Sequence, residues 1–174
     1  MESLMSGKIN LPDIRRIVTW ASESEENRHR LMELAKSADR QTRVNAMWAL
    51  THMSEACADW LHSRRHELAG MLLAETDVAG KRLLLKLLRE QDFGPDEIPT
   101  DLLDYCLARI NSECEPYAIR ASGIYLAFRM CRHYPELTAE LKERLDMLGL
   151  QTLSPGLLSA RRKTLEAIGR LSRK

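Results

Sequence analysis

Apolar residues recur at spacings of three and four along almost the whole chain, interrupted by short polar or Pro/Gly stretches, and that rhythm predicts a succession of helices. Leu11 to Ser22 carries Ile14, Ile17, Val18 and Ala21 on one stripe, with Pro12 suited to a first helical turn. Ser24 then precedes EENRHRLMELAK, whose early acids suit the positive helix start and whose Leu31, Met32, Leu34 and Ala35 form the buried stripe. The stretch from Asp39 to Ser54 follows, with Asp39 as N-cap and apolar residues on almost every side, the pattern of a helix packed between neighbours. Cys57 to Glu75 reads as one amphipathic segment whose weak point is Gly70. Asp77 to Gln91 is strongly apolar again, and FGPDEIPT, residues 93–100, is the clearest linker in the chain. Beyond it lie a helix at Asp101 to Asn111, a long buried one from Pro116 ended by Pro135, and an amphipathic one at Leu137 to Leu148. LGLQTLSPG then breaks the pattern before the last helix.

The long helices share a plan. Aligned on a basic residue near each start, Arg43, Lys81, Arg120 and Arg161, they are separated by 38, 39 and 41 residues. Three and seven positions after each anchor stands a residue usable in a helix–helix seam: Ala46 and Leu50, Leu84 and Leu88, Gly123 and Ala127, Thr164 and Ile168. A period near forty residues with two helices per unit is that of an α-solenoid.

On these residues, above all RVNAMWALTHMSE and EPYAIRASGIYLAFRMCRHYPEL, the chain from about Ser24 onward resembles the HEAT-repeat (armadillo-like) proteins, and is most similar to short bacterial HEAT-like proteins of unknown function. It departs from their pattern at Lys81-Arg82, which no Val or Ile precedes, and at Ser122-Gly123 inside a long helix. The resemblance implies an all-α fold, an α-α superhelix of about four helical-hairpin repeats, with residues 11–174 as one repeat domain behind a flexible lead-in over residues 1–10. It also implies a style of action, a curved surface that binds other macromolecules.

Composition agrees with that class and narrows the compartment. The chain has 174 residues, is 44% hydrophobic and only 5% aromatic, and is poor in Gly and Pro, which suits helices and leaves no β-rich segment. MESLMSGKIN lacks the basic start and apolar core of a secretory signal, and no apolar run approaches the roughly 20 residues needed to cross a bilayer. A cytoplasmic protein with no membrane partner is expected. The four cysteines, Cys57, Cys106, Cys114 and Cys131, form no CxxC pair and are expected as buried free thiols.

Charge changes the picture more. The formal net charge is +1, yet the second-helix segments (39–54, 77–92, 114–133, 158–174) carry +9 and the first-helix segments (11–36, 55–75, 96–113, 136–153) carry −8. Second helices line the concave face in HEAT-like solenoids, so the resemblance turns this asymmetry into an expected basic inner surface. Such a surface attracts an acidic protein or a phosphate backbone; the competing reading is that these cations pair with carboxylates of neighbouring repeats. The candidate partner-binding residues are Arg43, Asn45, Trp48, His52, Lys81, Arg82, Arg120, Arg161 and Arg162. Asn45, Trp48 and His52 fall at i, i+3 and i+7, on one side of a helix, where a Trp either stacks on a ligand or packs between repeats.

No catalytic signature, cofactor motif or metal site is identified. His62 and His66 supply half of a zinc site, and Ser63 stands where the metalloprotease motif has its glutamate. The expected function is therefore a non-catalytic scaffold that binds another macromolecule, a protein in the first instance. The alternative is a nucleic-acid-binding protein similar in style to the helical-repeat DNA glycosylases.

Overall fold

A computed structural model describes residues 1–53 and 55–172. Among them the chain forms eleven α-helices and no strand, as the helical rhythm predicts, and none of the helices is long and apolar enough to cross a membrane. Ser54, Arg173 and Lys174, which belong to the segments read above, lie outside the described residues. By compactness the chain divides into two units, Met1–Leu87 and Leu88–Lys174.

The first unit holds α1 (Glu2–Met5), α2 (Leu11–Glu23), α3 (Glu25–Leu34), α4 (Arg40–Leu50), α5 (Ala58–Ser63), α6 (Arg65–Ala74) and most of α7 (Val78–Arg89). A capping box fixes the start of α2, with Asn10 and Asp13 each accepting from the other's backbone N–H. Ser24 and Asp39 cap α3 and α4 in turn. These three helices pack on one another. Ile14, Ile17, Leu31, Met32, Met47 and Leu50 are buried between them, each stabilising by about 1.5–3 kcal/mol through apolar area removed from water.

Two features of this unit differ from the sequence expectation. Residues 1–10, read as a lead-in outside the helical domain, include α1, which packs on α4 and buries Met5 completely. And the segment 57–75 breaks not at Gly70, which sits inside α6, but at Arg64. There Ser63 Oγ donates to Trp60 O at 2.7 Å and Arg64 N donates to Leu61 O at 3.0 Å, so a tight three-residue turn replaces the helical ladder.

The second unit is built from α8 (Thr100–Ile110), α9 (Tyr117–Cys131), α10 (Pro135–Leu148) and α11 (Pro155–Leu171). Helix α9 packs against α8, α10 and α11, and α10 packs against α8 as well as α11. The arrangement is two hairpins side by side, with first helices α8 and α10 in contact and second helices α9 and α11 in contact. Three-sided packing explains why α9 is apolar all round. Gly123 explains the irregularity in its sequence: a Cβ there would lie 3.5 Å from Cys106 O, so the small residue lets α8 approach closely. Burial pushes the Cys106 and Cys131 thiols up to about 12, leaving both protonated and unreactive at neutral pH. Cys114, expected to be buried like the others, is exposed in the turn before α9.

Candidate partner-binding surface

In three of the four second helices the basic residue near the start closes a hairpin. Arg43 Nη1 donates to Ser37 O (2.9 Å) and Ala38 O (3.3 Å), just beyond α3. Arg120 Nε donates to Ile110 O at the last residue of α8 (2.9 Å), and Arg161 Nε to Leu145 O in the last turn of α10 (2.6 Å). A helix C-terminus leaves four carbonyls unpaired and carries the negative end of the macrodipole, so a guanidinium reaching back across the turn caps it and neutralises it at once. The period read from Arg43, Arg120 and Arg161 is thus the period of a hairpin joint. Lys81, at the equivalent point of α7, is half-buried and also engaged.

Burial follows from this role. Arg120 is 2% exposed, and its Nη2 donates to Gln151 Oε1 at 2.5 Å. Arg43 pairs with Glu75 at 3.0 Å, and Arg161 lies 3.8 Å from Asp146. Asn45 is 4% exposed: its Nδ2 donates to Met5 O (2.7 Å) and Gly7 O (2.9 Å), tying the N-terminal segment to α4. Arg162 is exposed but pairs with Glu166. Of the candidate residues, Trp48, His52 and Arg82 are the ones left facing outward with no ion pair among the described residues.

A HEAT repeat domain family model matches residues 1–168. The chain belongs to the HEAT-repeat family. No curated protein and no solved structure matches it. The hairpins α8/α9 and α10/α11 are HEAT units, and the joint cation is what their repeat period marks.

The basic excess of the HEAT second helices is largely spent within each unit. Arg40 pairs with Asp77, Arg129 and Arg132 with Asp92, and Arg170 with Glu166. Among the charges left unpaired in the first unit are Arg82 and Lys86 on α7 and Arg15 on α2, all exposed and without an ion pair among the described residues. Arg82 and Lys86 are four apart and so share a side of α7. Arg15, together with Leu11, Val18, Thr19 and His52, lines a recess beside the end of α4. Arg15 and Lys86 were not candidates from sequence. Val18, read above as part of the stripe of Ile14, Ile17 and Ala21, is only half-buried and lines this recess instead; its spacing with Leu11 and Arg15, i, i+4 and i+7, was the available signal.

Trp48 and His52 stand at the rim. Trp48 Nε1 donates to His52 Nε2 at 3.0 Å, which places the imidazole proton on Nδ1. Burial, then the positive charges of Lys86 and Arg15, hold His52 below its ordinary range. Because the folded state protonates at lower pH than the unfolded one, the unfolded state binds more protons between the two values, and stability falls as pH drops from 6.5 through the folded pKa. A proton NMR titration of His52 should give a midpoint below 6.5, with the Trp48 indole N–H signal moving in step as its acceptor is lost. A midpoint at or above 6.5 would contradict the local excess of positive charge.

Proposed function

We propose that this HEAT chain is a non-catalytic scaffold that docks an acidic segment of a partner protein on the surface formed by Arg15, His52, Trp48, Arg82 and Lys86. The observation that carries this reading is the local excess of positive charge: Arg15 and Lys86, exposed and without an ion pair among the described residues, both act on His52, and Arg82, likewise exposed, shares a side of α7 with Lys86. Leaving charges unpaired costs self-repulsion, which an anionic partner relieves. The aliphatic Leu11 and Val18 beside Arg15 favour a peptide over a phosphate backbone, because they offer apolar contact to a side chain next to its acid. A glycosylase-like site needs a carboxylate alongside its aromatic residues; the charges acting on His52 are Lys86 and Arg15 instead.

Fluorescence anisotropy with a labelled peptide of alternating Glu and Leu, and with duplex DNA as the competing arm, tests this reading. The peptide should bind more tightly than DNA, weaken as salt is raised, and tighten as pH falls through the His52 midpoint. Reversing Arg15→Glu and Lys86→Glu together should weaken it by about tenfold or more. Absence of peptide binding at low salt, or indifference to the double reversal, would sink the proposal. Tighter binding of DNA would transfer the surface to the nucleic-acid alternative.

A further inference from the structure

A recess between the loop that precedes α8, the first turns of α8 and the start of α10 lies wholly in the second unit and shares no residue with the basic surface of the first. Its floor is apolar. Leu103 is buried there, and Ile98 and Leu137 are half-buried beside Pro95. Tyr134 Oη donates to Pro95 O at 3.0 Å, which ties the loop to the turn before α10 and fixes one wall of the recess.

The rim carries the opposite sign to the surface in the first unit. Asp96, Asp104 and Glu136 line it, all three exposed and without an ion pair among the described residues, and no Lys, Arg or His belongs to the lining. Glu136 has a local reason to be acidic, since a carboxylate in the first turn of α10 meets the positive end of the macrodipole. That reason does not extend to the other two: Asp96 lies outside both helices, and Asp104, the fifth residue of α8, stands beyond its first turn. Carboxylates of one sign above apolar walls repel one another and focus their field into the space between them.

We propose that this recess docks a basic segment of a partner protein, with an apolar side chain resting on Ile98, Leu103 and Leu137 and the lysines or arginines on either side of it meeting Asp96, Asp104 and Glu136. Charge on the rim and apolar contact at the centre is the anatomy of a specific protein interface. The same charge repels a phosphate backbone or an anionic membrane. A metal ion is not the match, because no group of three or more ligating side chains among the described residues is placed to hold one. A small polycation would satisfy the rim and leave the floor uncovered.

Fluorescence anisotropy of the full chain with a labelled peptide of alternating Arg and Leu tests the proposal. Binding should be saturable and weaken as salt is raised. Asp104→Asn together with Glu136→Gln should weaken it by about tenfold or more, with an unchanged circular dichroism spectrum because both side chains are exposed and bonded to nothing described. Glu143→Gln, exposed on α10 but outside the recess, should leave it unchanged. A peptide of alternating Arg and Gln should bind about tenfold less tightly, since it brings the charge without the apolar side chain. The reversal of Arg15 and Lys86 should spare the Arg/Leu peptide while it weakens the Glu/Leu peptide, so the two docking surfaces stand or fall separately. No saturable binding at low salt, binding that survives the paired substitution, or equal affinity for the Arg/Gln peptide would overturn the proposal. Self-association of the chain that the paired substitution abolishes would give the recess to a second copy and overturn it as well.

Discussion

Replacing Arg120 with Ala is expected to destabilise the chain by about 3 kcal/mol or more, the sum of two lost charge-assisted hydrogen bonds and the acceptors left behind. Its Nε holds Ile110 O at the end of α8, and its Nη2 holds Gln151 just beyond α10. Gln151 Nε2 donates in turn to Asn111 O at 3.1 Å, and Asn111 Nδ2 to Arg144 O at 3.1 Å, so one guanidinium at the start of α9 organises the ends of both neighbouring helices. Two further substitutions separate volume from bonding. Arg120→Met restores much of the apolar packing but leaves Ile110 O and Gln151 without their donor, and should be nearly as damaging as Ala. Arg120→Lys retains a charge without the fork that spans both acceptors, and should recover less than half of the loss. Urea unfolding measures the effect as a lower midpoint at unchanged slope. A loss below about 1 kcal/mol in the Ala variant, or full rescue by Met, would show the joint to be incidental packing.

Much of this architecture was legible because the signals were local. The helix start at Arg40 was read from Asp39, whose side chain reaches a donor only three residues away, and the starts at Leu11 and Glu25 rest on caps of the same kind from Asn10 and Ser24. The anchors Arg43, Arg120 and Arg161 were visible as a period, but their purpose was not. A basic residue near a helix start looks the same in sequence whether it faces solvent or turns back onto the preceding helix, and the deciding partner is a backbone carbonyl, which has no sequence signature. Asn45 shows the same limit. Its i, i+3, i+7 relation to Trp48 and His52 is correct as geometry, yet α1 lies over it, and four residues were too short a helix to announce themselves. The break at Arg64 depends on the Ser63 hydroxyl competing for a backbone carbonyl, which no apolar periodicity records. The basic bias of the second helices was real as a count, but the position of Asp77, Asp92 and Glu166 decides which of those charges remain available.

Gly80→Ala should change the sign of its effect according to what stands at position 75. In the native chain Glu75 has a side chain only 4% exposed; its Oε2 accepts from Arg43 Nε at 3.0 Å and its Oε1 from the backbone N–H groups of Thr76 and Asp77 at 2.9 Å each. A Cβ on Gly80 would sit 2.6 Å from Glu75 Oε2 and 2.7 Å from its Cδ, so the carboxylate must move. The end of a glutamate is flexible in general, but this one is held by three donors, and moving it releases Arg43 as well as the turn into α7. Gly80→Ala alone is therefore expected to cost about 2 kcal/mol or more, and Glu75→Ala about 3, since it leaves two backbone N–H groups and the half-buried Arg43 guanidinium without their acceptor. With Glu75 already replaced by Ala, nothing remains to collide with. Gly80→Ala then contributes only its gain in helix propensity, about 0.5–1 kcal/mol of stabilisation. Denaturant titration of the two single variants and the double variant closes the cycle, and a coupling of about 2.5 kcal/mol or more is expected where independent sites would give nearly none. Additive effects would mean that Glu75 swings aside freely, and that Arg43 closes its hairpin without help from the carboxylate.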